Sequence, residues 1–141
     1  MSSALLELEG GSRRYETGSG PLVLDGVSLA IAPGESVAVV GPSGSGKSTL
    51  LNLMGALDRP SAGRVRLEGR DLAGLGDEEL ARVRNEKLGF VFQAHHLLPQ
   101  CTALENVLVP TLVHRDRSLR RSAPERAREL LGRVGLAERA D

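Results

Sequence analysis

Cysteine is nearly absent from this chain. Cys101 is the only one among 141 residues, which excludes an intramolecular disulfide and a clustered-cysteine metal site. Charge of one sign is missing too: 18 basic groups face 18 acidic ones, for a net charge of zero. That balance argues against an overall basic footprint for nucleic acid. No stretch approaches the ~18 uninterrupted apolar residues of a membrane helix, and Glu7 and Glu9 arrive too early for a secretory leader. A membrane role is therefore expected to come through a partner. Internal repeats and low-complexity tracts are also lacking. What remains is a globular composition, 40% hydrophobic and 26% charged, long enough for one domain with a core of its own. The charge is uneven. Residues 1–111 carry 10 basic and 13 acidic groups, and residues 112–141 carry 8 and 5.

The first half of the chain is rich in strand signals and the last part in helix signals. Residues 4–9 alternate weakly and predict a strand, placed at a sheet edge. Gly18-Ser19-Gly20-Pro21 marks a turn, and residues 22–31 predict a second strand with a bulge or bend at Asp25-Gly26. After Pro33-Gly34, the run Val37-Ala38-Val39-Val40 is continuously apolar, which predicts a strand buried on both faces of a parallel sheet. Leu50, Leu53, Met54 and Leu57 then share one helical face, predicting a helix over 47–57. Val65 and Leu67 alternate with Arg64, Arg66 and Glu68, the pattern of a half-exposed strand. A short helix is expected over 77–84, with acids in its first turn, and another strand over 88–92. Capping boxes are expected at Thr102/Glu105 and at Ser122/Glu125. Behind the second, Ala127, Leu130, Leu131 and Val134 form an apolar stripe.

Chemistry enters at Gly41-Pro42-Ser43-Gly44-Ser45-Gly46-Lys47-Ser48, which matches G-x-x-x-x-G-K-[ST], the Walker A pattern. An apolar run enters it and an apolar-periodic helix leaves it, the context the pattern requires. Glycines let the backbone wrap so that successive amides converge on an anion. The helix that starts near Lys47 adds unpaired N–H groups and its dipole. Lys47 can reach the β- and γ-phosphates, the Ser48 hydroxyl can coordinate Mg²⁺, and Thr49 supports the loop. Asp71-Leu72-Ala73-Gly74 has the D-x-x-G form of a GTPase, but it follows a half-polar strand, so the match is taken as chance. The chain offers no aspartate in the buried-strand context of a Walker B residue.

The loop, together with Leu50-Leu51-Asn52, resembles the nucleotide-binding subunits of ATP-binding-cassette transporters. Leu88-Gly89-Phe90-Val91-Phe92-Gln93 is similar to their strand leading into the glutamine loop. His95-His96-Leu97-Leu98-Pro99 and Thr102-Ala103-Leu104-Glu105-Asn106-Val107 resemble the subgroup of lipoprotein-releasing and macrolide-exporting ATPases. The resemblance implies an α/β P-loop fold of ABC type, with an antiparallel β subdomain. Residues 1–98 would form the N-terminal part of the core and residues 99–141 the start of the helical subdomain. It implies ATP and Mg²⁺ as ligands, with Gly41, Ser43, Gly44, Ser45, Gly46, Lys47, Ser48 and Thr49 around the phosphates. Tyr15 would stack on adenine, the alternative being an ordinary packing residue. Gln93 would sense the γ-phosphate and Mg²⁺ and couple them to the transporter, the alternative being a backbone-capped loop residue. Catalytic roles would fall to Lys47 and Gln93, and metal contacts to Ser48 and Gln93.

The same resemblance implies transmembrane permease subunits and a second copy of the ATP-binding subunit as partners, at the cytoplasmic face of the inner membrane. The signature, the Walker B aspartate, the catalytic glutamate and the switch histidine have no matching position here. The chain is therefore expected to be the N-terminal part of a longer ATPase and hydrolytically inactive by itself. Two other functions compete: another P-loop phosphotransferase or GTPase, and a non-hydrolysing interaction remnant. His95 and His96 are adjacent with no regular third ligand, a poor metal pair. The Arg115, Arg117, Arg120 and Arg121 cluster is read as a solvated face.

Overall fold

The alternation near the N-terminus does form a strand. The computed structural model of the protein, which describes residues 4–15 and 20–140, extends it to Leu6–Arg13 (β1). The Gly18-Ser19 part of the expected turn lies outside the described residues. β1 is central rather than an edge. It pairs antiparallel with β2 (Leu24–Ile31) on one side and with β3 (Ala62–Leu67) on the other. β3 turns through Glu68-Gly69 into the short β4 (Arg70–Asp71), giving the order β2-β1-β3-β4. The central place of β1 has a chemical cause in β3. Arg66 Nη1 lies 2.7 Å from Glu9 Oε1 and Arg64 Nε lies 3.1 Å from Glu9 Oε2, so charges pair across the polar face. On the opposite face Leu8 stands against Val65 in register, and both are buried. Cross-strand pairs of this kind stabilise a ladder from both sides.

The bulge expected at Asp25-Gly26 is present: the β1–β2 register shifts between Gly11/Val27 and Arg13/Leu24. Gly63 has a stricter role. A Cβ there would collide with the carbonyl oxygens of Glu9 and Gly10, so only glycine lets β3 start this close to β1.

Two strand expectations fail. Residues 36–40 and 88–92 run without ladder hydrogen bonds among the described residues. Val40 is 86% exposed and Val91 fully so. A continuous apolar run becomes a strand only when neighbours pair its backbone and cover both faces, and here neither is supplied. In residues 88–92 the Phe90 and Phe92 rings instead stack on each other at 5.5 Å.

α1 (Lys47–Met54) buries Leu50, Leu53 and Met54 and stops at Gly55, whose N–H bonds to the Leu51 carbonyl. It ends three residues short of expectation, so Leu57 is left exposed. α2 (Asp77–Lys87) runs three residues longer than expected, keeps its acidic first turn and buries Leu80. The chain divides into two units, Met1–Arg84 and Asn85–Asp141.

In the second unit α3 (Ala103–Leu108) begins with the expected capping box: Thr102 Oγ1 accepts from Glu105 N, and Glu105 Oε2 accepts from Thr102 N. Pro110 falls in a 3-10 turn, Val109–Thr111. The second capping box is not formed. α4 (Arg117–Arg133) starts earlier, with Asp116 as its cap accepting from Ser118 N at 2.7 Å. Hydrogen bonds from the Ser118 hydroxyl and amide hold the Asp116 carboxyl below its ordinary pKa. Ser122 therefore sits inside the helix, where its hydroxyl bonds back to the Ser118 carbonyl. Of the predicted stripe, Ala127 and Leu131 are buried against Leu104 and Ala140, while Leu130 and Val134 stay exposed. Among the described residues no helix is long and apolar enough to cross a membrane.

Candidate functional site

The site is built where β2 begins and α1 begins. Val23 N donates to the Arg13 carbonyl, which ties the start of β2 to the end of β1. Gly46, the residue before α1, lies against that junction in a left-handed conformation, φ 88°. A Cβ at Gly46 would stand 2.8 Å from the Val23 oxygen, so both backbone shape and space demand glycine. α1 has no side-chain cap, and its first-turn amides remain available to an anion. Val23, Ser43, Gly44, Gly46, Lys47, Ser48 and Thr49 line an open hollow of about 510 Å³ in front of it.

Lys47 closes the loop on itself. Its Nζ donates to the Gly41 carbonyl at 2.9 Å and the Pro42 carbonyl at 2.6 Å, and lies 3.5 Å from Ser45 Oγ. The ammonium is thus held over the loop by neutral oxygens. An arriving phosphate would offer charged ones, and charge-assisted bonds are about twice as strong. Ser48 is exposed at the first turn of α1, while Thr49 is buried, a division that suits a ligand hydroxyl beside a supporting one. A smaller cavity of about 130 Å³ lies among Leu53, Ala56, Val65, Leu72 and Leu80. Asp58 and Arg59 stand at the same cavity, which lies apart from the loop of residues 41–48.

Comparison with known proteins decides the family. A family model described as ABC transporter matches residues 24–141. The chain belongs to the ABC transporter family. It is 53% identical over 138 residues to the lipoprotein-releasing system ATP-binding protein LolD of Geobacter metallireducens, covering 97% of this chain and 60% of that protein. It is 51% identical to the macrolide export ATP-binding/permease protein MacB of Chromobacterium violaceum, covering 97% of this chain and 21% of that protein. Among solved structures it resembles the dimeric ATP-binding cassette MJ0796 bound to ADP and Pi. The TM-score is 0.84 at 40% identity, over 96% of this chain and 59% of that one. The chain thus spans about 60% of the length of the LolD relatives it matches. The fold is that of part of an ABC nucleotide-binding domain.

Within this ABC chain the first unit brings most of the expected site residues together. Tyr15 stands beside the loop: its hydroxyl is 3.2 Å from Thr49 Oγ1 on α1. Gln93 belongs to the other unit, in an exposed bend directly after residues 88–92. Asp71 is occupied locally, accepting from Ala73 N at 2.8 Å to close a turn. His96 packs edge-on against the Phe92 ring, 5.0 Å between centroids.

The sequence reading missed three residues of this neighbourhood. Val23 lines the hollow, Arg13 lies with its guanidinium 4.7 Å from the Tyr15 ring centroid, and Asp58 pairs with Arg13. A signal for one existed: Arg13 and Tyr15 are two apart at a strand end, and i and i+2 share a face.

Proposed function

We propose that this chain is the ATP-binding part of a transporter ATPase that couples hydrolysis to lipoprotein release or to export of a hydrophobic substrate. The observation that carries the proposal is the loop of residues 41–48, folded onto Lys47 at the start of α1, in a chain of the ABC family. Gly41, Ser43, Gly44, Ser45 and Gly46 would cradle the phosphates through their amides, and Lys47 would offset the β- and γ-phosphate charge. Ser48 and Gln93 would hold Mg²⁺, whose chemistry is to neutralise charge on the phosphate oxygens. The exposed hydroxyl of Ser48 beside the hollow fits that task. Tyr15 would carry the adenine on its ring face.

Gln93 would report the γ-phosphate to a membrane permease partner. The names of LolD and MacB support such a partner, and the dimeric structure of MJ0796 supports pairing of two copies. The working protein would then sit peripherally at the cytoplasmic face of the inner membrane. The division into core and helical subdomains at 98/99 belongs to the same proposal. The test is calorimetric titration of the chain with Mg-ATP and Mg-GTP, alongside Lys47→Ala and Asp71→Ala. ATP binding lost in Lys47→Ala and kept in Asp71→Ala supports the reading. GTP binding in preference to ATP, lost in Asp71→Ala, would overturn the reading of the loop as an ATP site.

A further inference from the structure

The Tyr15 ring is held from two directions. Its hydroxyl reaches Thr49 Oγ1 at 3.2 Å, which fixes one end of the ring to α1. The Arg13 guanidinium lies over one ring face, with Cζ 4.7 Å from the centroid, well within cation–π range. Arg13 is itself held. Its Nε is 2.9 Å from Asp58 Oδ2, and both side chains are about 22% exposed. Nε is buried, and its N–H does not meet hydrogen-bond alignment with any partner, so charge rather than a directed bond fastens the pair. Asp58 is anchored in turn: Oδ1 accepts from Arg59 N at 2.8 Å, and Asp58 N donates to the Asn52 carbonyl of α1. Yet Tyr15 remains 55% exposed. With one face under a cation and the hydroxyl committed, the opposite face is the one left for a base to stack on.

We propose that Asp58 and Arg13 are positioning residues for the nucleotide base, holding the Tyr15 ring so that the base forms the third layer of an Arg13–Tyr15–base stack. The proposal rests on the reading of Tyr15 as the base platform and adds what aims it. A free tyrosine at a loop margin would lose rotamer freedom whenever a base docked, and that entropy would weaken binding. Here the loss is met in the folded chain. Asp58 follows α1 and Tyr15 touches α1, so base platform and phosphate loop hang from one helix. Neither Arg13 nor Asp58 lines the phosphate hollow, so the pair should act on the base and leave the phosphates alone.

The chain supplies its own reporter. Tyr15 is the one tyrosine and there is no tryptophan, so tyrosine fluorescence reports on this ring. The experiment titrates the full chain and its Tyr15→Ala, Arg13→Met, Arg13→Lys and Asp58→Asn variants with Mg-ATP and with Mg-triphosphate, which lacks a base. Calorimetry gives affinity for every variant; tyrosine emission is followed in those that keep Tyr15. Arg13→Met should weaken ATP roughly 3- to 10-fold, the range of a cation–π contact, leave triphosphate within about twofold and shrink the ATP-induced emission change. Arg13→Lys, which keeps a cation, should restore most of the loss, and Asp58→Asn should fall between. If Tyr15→Ala weakens ATP but Arg13→Met does not, the positioning role is wrong and the platform stands. Unchanged ATP binding in Tyr15→Ala removes the platform and this proposal with it. Equal loss of ATP and triphosphate in Arg13→Met would show a general structural role and overturn the proposal.

Discussion

β3 and the run at residues 37–40 are both strand-like in sequence, and the chain treats them oppositely. β3 alternates, so one face meets Leu8 through Val65 while the other pairs Arg64 and Arg66 with Glu7 and Glu9. Everything it needs lies within about 60 residues of the same unit. The run at 37–40 is apolar on both faces, asks for neighbours on two edges and two sides, and remains exposed. A half-buried strand can be satisfied by one hairpin-like return. A fully buried one is specified only by an entire sheet. The loop at residues 41–48 that follows the run is nonetheless shaped, because its constraints are local: Gly46 against Val23, Lys47 over Gly41 and Pro42.

The largest test of this contrast is Leu8→Ala. Leu8 is 1% exposed at the centre of the antiparallel sheet, and truncating a buried leucine costs about 2–5 kcal/mol. Urea unfolding of the purified chain should show that loss at an unchanged slope. A cost below ~0.5 kcal/mol would mean the β1 core does not carry the stability of the chain.

Gly46→Ala should come next. An L-residue in the left-handed region costs about 1–2 kcal/mol, and the new methyl would also crowd the Val23 oxygen. The expected result is a modest fall in stability with loss of triphosphate binding, read by unfolding and calorimetry on one sample. Intact binding in the alanine variant would show that the Gly46–Val23 approach does not set the loop. Lys47→Ala separates chemistry from shape. It should leave the unfolding midpoint nearly unmoved and weaken Mg-ATP more than ~10-fold, as expected for a charged hydrogen-bond donor worth about 1.5–3 kcal/mol. Undiminished affinity would take Lys47 out of the site.

The same distinction explains what could be read in advance. Motifs whose geometry is local were legible: the loop at 41–48, the Thr102/Glu105 capping box, the bulge at Asp25-Gly26 and the alternation of β3. The central place of β1 was not, because it depends on a strand that returns only at Ala62. The start of α4 was misread because Ser122/Glu125 has the capping spacing, while Asp116, six residues earlier, takes the cap in the structure. In the site, Tyr15 was singled out only through the family resemblance. Its setting was not legible, since Arg13 and Asp58 are 45 residues apart and meet only after α1 has folded back.

The smallest effect is expected where a sequence reader would expect one of the largest. Val40→Thr and Val91→Thr exchange a methyl for a hydroxyl with little change of shape. In a strand buried on both faces, that hydroxyl would lack a partner, and an unpaired buried polar group costs about 1–3 kcal/mol. Val40 is 86% exposed and Val91 fully exposed in this chain, so water can satisfy the hydroxyl at once. Each substitution should therefore stay within about 0.5 kcal/mol, the usual range for surface changes. Amide hydrogen exchange sharpens the same point. Leu6 and Leu8 sit in the β1 ladder and should exchange slowly, whereas the amides of residues 37–40 should exchange close to the rate of an unpaired chain. Protection at residues 37–40 equal to that of β1, or a loss at Val40 approaching that at Leu8, would show the run paired and covered in solution. The contrast between the two segments would then be gone.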